Sequence, residues 1–301
     1  MKNKVIVVVG PTAVGKTKIS IELAKYLNVD IISGDSIAIY KRLDIGSAKP
    51  TIEERDGVRH HLIDIKEPYE DYSVADFQKD ARAIIDKHPL NLICGGTGLY
   101  IQSVIFDYQF EAKKRDDIVK DKYYTLSNDE LYNLLLSKDP NIDTNKLHPN
   151  NRKRVLRALE VLEDTGNSIH DYNNKKDALY DYFIVYLSQE RELLYERINK
   201  RVDLMIEDGL INEVISLFDE GIYPKGIGYR EFIPYYNNEI TLESAIEEIK
   251  KNTRHLAKRQ ETWFKNQLTS NFYSVDFDNI ENTINLIKKD IDEWIKKWEY
   301  I

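Results

Sequence analysis

"VIVVVGPTAVGKT", residues 5–17, decides the fold. An apolar run, Val5–Val9, leads into G-x-x-x-x-G-K-T, running from Gly10 through Gly15, Lys16 and Thr17. Glycines let backbone N–H groups converge on an anion, the lysine adds a point charge, and the threonine hydroxyl can ligate Mg²⁺. Ile19, Leu23 and Leu27 recur every four residues, so Lys16 to about Tyr26 reads as an amphipathic helix after a buried strand. That helix points its positive N-terminal end at the loop. Strand, loop and helix in this order predict a phosphate site and leave the owner of the phosphate open.

Working outward, strands and helices alternate through the first hundred residues. Short strands are expected at "DIIS" (30–33), "HHLIDI" (60–65) and "LNLICGG" (90–96), and a helix over Val74–Asp86 with Phe77, Ala81 and Ile84 inward. Strands separated by helices imply a parallel sheet with covering helices. From Tyr108 to Tyr182 only helical patterns occur, at Asp129–Leu136 and Arg152–Leu162, with polar linkers such as "TGNSIHDYNNKKD" (165–177). "FIVYL" (183–187) restores a strand. Long helices are expected over Glu190–Phe218, Ile240–Asn266 and Ile280–Trp298, and the tail 270–301 reads as a plain amphipathic helix. The expected fold is α/β: a P-loop parallel sheet with covering helices over 1–110 and 183–301, interrupted by an all-helical insertion over 111–182.

The chain has 301 residues and a formal net charge of −8, and no apolar run approaches the ~18 residues of a membrane span. Met1-Lys-Asn-Lys leads directly into a strand, with no secretory leader, so a cytoplasmic protein is expected. Cys94, the single cysteine, excludes internal disulfides and multi-cysteine zinc sites; in its apolar run it reads as a small buried hydrophobe.

The acidic average hides two basic clusters. Lys146, Arg152, Lys153, Arg154 and Arg157 face one acid between 145 and 160; Lys250, Lys251, Arg254, Lys258, Arg259 and Lys265 face one between 250 and 265. Such runs are often mere solvated helix faces. Here Arg154 and Arg157 share a helical face, and the second cluster interleaves with Trp263 and Phe264, a combination suited to a phosphate backbone and unstacked bases. A nucleotide-hydrolysing P-loop protein carries a second strand ending in an Asp that helps hold Mg²⁺. The best such strand ends instead in Gly95-Gly96-Thr97-Gly98. Asp35 in "IISGDSIAIY" is the alternative carboxylate: metal ligand, general base, or simply a helix N-cap.

"GPTAVGKT" (10–17), "GDSIAIYKRLDIGSAKP" (34–50), "HHLIDI" (60–65), "YSVADFQKDA" (72–81), "GGTGLY" (95–100), "NRKRVLRALEV" (151–161), "GIGYRE" (226–231) and "RHLAKRQETWF" (254–264) occur in this order. Together they resemble the bacterial tRNA dimethylallyltransferases, over roughly residues 4–265. The resemblance implies transfer of a dimethylallyl group from dimethylallyl diphosphate to N6 of adenosine 37 beside the anticodon, with Mg²⁺ as cofactor. Its partners are then that donor and the anticodon stem-loop of tRNA, with no membrane and a monomer sufficient. Gly10, Pro11, Thr12, Ala13, Val14, Gly15, Lys16 and Thr17 correspond to the diphosphate loop, with Thr17 on the metal. Asp35, Thr12 and Arg230 correspond to the catalytic set, Asp35 as the base that accepts the N6 proton and Arg230 as an additional diphosphate-binding arginine. Asp35, Ser36, Ile37, Ala38 and Thr97 correspond to contacts with the target nucleotide. Lys153, Arg154, Val155, Leu156 and Arg157, then Arg254, His255, Leu256, Ala257, Lys258 and Arg259, correspond to two further RNA-contacting stretches. An adenylate isopentenyltransferase acting on free AMP, ADP or ATP, or a P-loop small-molecule kinase, would share the loop and Asp35.

Overall fold

The computed structural model describes residues 2–108, 110, 122–145, 147–169 and 177–297. Lys146 and most of the 165–177 linker lie outside them, as do the expected insertion's first residues and Trp298. The chain divides into two compact units: residues 1–105 with 178–301, and residues 106–177. The boundaries expected from the sequence, 110/111 and 182/183, each lie five residues further along the chain.

The first unit is built on a six-stranded, all-parallel sheet of order β3-β2-β4-β1-β5-β6. Its strands are β1 (Lys4–Val9), β2 (Ile31–Ser33), β3 (His60–His61), β4 (Leu90–Gly95), β5 (Asp181–Ser188) and β6 (Asn271–Ser274). Val5 to Val9 are 0% exposed, which is why the central strand reads as a continuous apolar run. Val9 sits opposite Gly95 on one side and Tyr186 on the other, so Gly10 leaves at the carboxyl edge, where open α/β sheets bind ligands. Helices α1 (Lys16–Leu27), α2 (Ile52–Arg55), α3 (Val74–Ile85) and α4 (Gly98–Ile105) complete the first half. Ser73 and Asp76 cap α3 reciprocally. Its inward residues are Phe77, Ala81 and Ile85; Ile84, expected inward, is only partly buried.

After β5 come α7 (Arg191–Glu207), α8 (Leu210–Asp219), a 3₁₀ turn (Arg230–Phe232), α9 (Ile233–Tyr236), α10 (Leu242–Gln267) and α11 (Ile280–Lys296). The single helix expected over 190–218 is two, because Gly209 takes φ 100° and breaks the ladder. "HHLIDI" contributes only two strand residues, because Leu62 and Asp64 turn left-handed (φ 61° and 57°). The tail is not purely helical: β6 adds to the edge of β5. Only Tyr273 of that strand is buried, so no apolar pattern marks it.

Ile284, Ile287 and Ile291 of α11, with Ile19 and Leu23 of α1, close one face of the sheet; a second cluster joins Val202, Val214, Phe218, Phe232 and Ile249. In the second unit, α5 (Asn128–Lys138) and α6 (Arg152–Thr165) pack Leu131, Leu135, Val155, Ala158 and Leu159 around Tyr123. Among its described residues no strand occurs.

Candidate active site

The loop from Gly10 to Thr17 joins β1 to α1. At Gly10 a Cβ would stand 2.5 Å from the Leu187 carbonyl oxygen, and Gly15 takes φ 91° at the helix start, so both positions require glycine. Pro11 and Val14 are buried and anchor the loop. Lys16 Nζ folds back to donate to the carbonyls of Gly10 (3.0 Å) and Pro11 (2.7 Å). Burial lowers its pKa to about 8; Cys94 and Asp35 counter that shift and Arg201 adds to it. Lys16, Thr17, Asp35, Cys94 and Gly96 line a cavity of about 80 Å³.

Asp35 enters the cavity from the turn after β2. Its Oδ1 accepts the N–H groups of Ile37 (2.8 Å) and Ala38 (3.2 Å). This is an Asx turn rather than a helix N-cap, since no helix follows. Oδ2 makes no hydrogen bond to the described residues. Thr97 joins the two loops: its Oγ1 accepts the Ser36 N–H (3.2 Å) and its own N–H donates to the Gly34 carbonyl (3.2 Å). A Cβ on Gly95 would lie 2.3 Å from the Gly34 oxygen. The end of β4 therefore has no room for the carboxylate that a hydrolytic P-loop protein carries there. Cys94 lines the cavity, and burial pushes its thiol pKa up, which keeps it protonated and un-nucleophilic.

Three residues escaped the sequence reading. Gln260 of α10 accepts the Thr12 N–H (2.9 Å) and donates to the Gly96 carbonyl (3.0 Å), clamping both loops. Arg197 and Arg201, four apart on α7, reach the carbonyls of Ala13 (3.2 Å) and Ala48 (3.4 Å). Their spacing on a helix was the available signal; which face met the loop depended on how α7 packs. Lys49 also lines the cavity, but its Nζ is committed to Asp44 and Asp64, each at 2.5 Å.

Arg230 is not brought to this cavity. It sits on the 3₁₀ turn, 48% exposed, with Nε donating to Glu231 (2.9 Å).

The basic faces are smaller than the charge counts suggested. On α10, Lys250 pairs with Asp203 and Glu247, Lys251 with Glu248, and Lys265 with Glu261. Arg254 is held by Asn199 Oδ1 (2.5 Å), while His255, Lys258 and Arg259 are exposed. Ala257 is 1% exposed and Leu256 partly buried, so these two side chains hold the helix to the core. On α6, Lys153 and Arg154 are exposed, Arg157 pairs with Glu160 (3.0 Å), and Val155 is fully buried. Among the described residues no helix is long and apolar enough to cross a membrane, and no cluster of three acidic, His or Cys ligands occurs.

A family model described as "IPP transferase" matches residues 38–267, and one described as "Isopentenyl transferase" matches residues 3–71. A "tRNA dimethylallyltransferase" of Anoxybacillus flavithermus is 47% identical over 95% of this chain and 96% of its own. One of Enterococcus faecalis is 45% identical over 99% of both. The crystal structure of the full-length tRNA isopentenylpyrophosphate transferase of Bacillus halodurans superposes with TM-score 0.72 at 42% identity, covering 100% of both chains. A eukaryotic dimethylallyltransferase solved acting on tRNA gives TM-score 0.78 at 30% identity over 91% of this chain and 74% of its own. With its G-x-x-x-x-G-K-T loop, glycine-closed β4 and Asp35 gathered at one sheet edge, the chain belongs to the IPP transferase family.

Proposed function

We propose that the protein transfers a dimethylallyl group from dimethylallyl diphosphate to N6 of adenosine 37 of tRNA, releasing diphosphate. The observation that carries this reading is the placement of Asp35 in one cavity with Lys16 and Thr17. Prenyl transfer needs an anion cradle beside a proton acceptor.

As the allylic C–O bond breaks, its electron pair leaves on the diphosphate oxygen. N–H groups of residues 13–17 and the Lys16 ammonium stabilise that charge as it develops. The N6 lone pair, otherwise delocalised into the adenine ring, forms the new C–N bond while its proton passes to the Asp35 carboxylate. Ser36, Ile37, Ala38 and Thr97 frame the turn where the base would sit. Bringing it there costs a few kcal/mol of unstacking, least for a loop base. The Thr17 hydroxyl at the loop would hold a Mg²⁺ whose other ligands would be waters and phosphate oxygens. When bound, the ion would add positive charge against the departing diphosphate. Lys153 and Arg154 on α6, and His255, Lys258 and Arg259 on α10, are the exposed groups for the RNA backbone.

Incubation with dimethylallyl diphosphate and either unmodified tRNA or AMP, followed by mass spectrometry of the nucleosides, tests the assignment. The expected product is N6-(dimethylallyl)adenosine from tRNA only. Modified AMP with untouched tRNA would place the chain with the adenylate prenyltransferases.

A further inference from the structure

A second cavity, of about 320 Å³ against about 80 Å³ for that of Lys16, opens between the start of α7, α10 and the carboxyl end of β5. Side chains alternate along a strand. Val185 and Leu187 join the core cluster with α1 and α11, so Tyr186 and Ser188 face the other side of the sheet, where they line this cavity. The Tyr186 ring meets Phe264 of α10 at 6.2 Å and Phe272 of β6 at 5.0 Å between centroids. Tyr186 is 0% exposed, and its hydroxyl has no hydrogen-bond partner among the described residues. A buried hydroxyl left unmet costs free energy, and native proteins hold few of them. Burial, with the Glu261 carboxylate of the same cavity acting on it, raises its pKa, so it stays protonated and can donate.

Arg191 and Lys258 line the cavity from exposed positions, and no carboxylate among the described residues pairs with either. Of the two carboxylates in the lining, Glu261 is paired with Lys265 (2.7 Å) and Glu192 is exposed. The unpaired charges are therefore two cations against one anion. Helix α7 also starts here, and Glu190 gives it no side-chain cap, so its first N–H groups are open to an acceptor. Tyr195, one turn into α7, adds an aromatic wall. Pro11 forms another, and its carbonyl accepts Lys16 Nζ at 2.7 Å, so the cavity backs onto the Gly10–Thr17 loop. An anionic group suits the rim, and a flat polar group the interior.

We propose that this cavity binds one nucleoside monophosphate, its phosphate between Arg191 and Lys258 and its base inside, hydrogen-bonded by the Tyr186 hydroxyl. A volume of about 320 Å³ lies in the range of small-ligand sites. A free nucleotide and one unstacked residue of a bound RNA offer the same chemistry. His255 and Arg259 lie exposed beside Lys258 on α10. Only the RNA source rests on the function proposed above; the site itself does not involve the prenyl donor.

Titration calorimetry with UMP in excess Mg²⁺ and pyrophosphate tests it, since pyrophosphate occupies the loop and UMP has no exocyclic amine to accept a prenyl group. Native protein should bind UMP saturably, Arg191→Ala about tenfold more weakly and Tyr186→Phe at least about threefold more weakly. Arg191 is exposed, so its variant reads the site even if Tyr186→Phe does not fold. An anticodon stem-loop that displaces UMP, and binds both variants more weakly, identifies the occupant as a residue of the RNA. A stem-loop that binds alongside UMP, with unchanged affinity for both variants, identifies a free nucleotide. UMP affinity within about twofold of native in both variants would overturn the proposal. So would an absence of UMP binding together with unchanged stem-loop affinity, which would leave the cavity to water. Protein that binds UMP here yet prenylates no tRNA would overturn the proposed function and keep this site.

Discussion

Asp35 closes a turn and is the proposed proton acceptor, and two substitutions separate these roles. Its Oδ1 closes the turn by accepting N–H groups from Ile37 at 2.8 Å and Ala38 at 3.2 Å, while the carboxylate is the proposed acceptor of the N6 proton. Asp35→Asn retains the acceptor oxygen, so the turn should persist and stability change by less than about 1 kcal/mol. Asp35→Ala removes both bonds at roughly 0.5–1.5 kcal/mol each, a loss of about 1–3 kcal/mol that should lower Tm by several degrees. Proton acceptance, by contrast, is lost equally in both. General-base removal typically costs about 10²–10⁴ in rate, or roughly 2.7–5.5 kcal/mol of barrier. Neither variant should weaken donor binding, because Asp35 is the negative group facing Lys16. Single-turnover prenylation of an anticodon stem-loop at saturating donor, alongside thermal unfolding, reads both effects. An asparagine variant that turned over within about threefold of native would refute the reasoning: the carboxylate would then be a turn-former only.

Lys16 gives a pH signature. Its pKa is lowered from 10.5 to about 8 by burial, so the folded state binds fewer protons than the unfolded chain between those values. The cost of burying the charge is fully present below pH 8 and fades as pH rises toward 10.5. Lys16→Met should flatten the stability–pH curve in that window, and native protein should take up protons on binding pyrophosphate above pH 8; calorimetry in buffers of different ionisation enthalpy that found no uptake would contradict this. Glu213 of α8 latches the segment below the site, accepting N–H groups from Asp44 (3.1 Å), Ile45 (2.8 Å) and Gly46 (3.1 Å) and the Tyr229 hydroxyl (2.7 Å). Glu213→Gln turns a donor toward donors and should cost about 2 kcal/mol or more in urea unfolding, against about 1 for Tyr229→Phe. Equal, negligible losses would mean the latch carries no load.

What the chain declares by itself is whatever depends on neighbours in sequence. Val5–Val9, the glycines of the loop and the four-residue spacing of Ile19, Leu23 and Leu27 specify strand, cradle and helix locally. The eight ordered blocks likewise place the chain in its family. Tertiary structure decided whatever depends on which surfaces meet. No local pattern could show that Gln260 ties Thr12 to Gly96, or that Arg197 of α7 reaches the Ala13 carbonyl while Arg230 is held by Glu231. The same holds for the basic residues: Lys153 and Lys265 look alike in a charge count and both are exposed, yet Lys265 spends its charge on Glu261. β6 exists because its backbone finds the open edge of β5, and with one buried side chain it leaves almost no trace in residue type. Backbone propensity and hydrophobic period act over a few residues, whereas the balance of charge and hydrogen bonds in a cavity is set by groups far apart in the chain and adjacent only once it is folded.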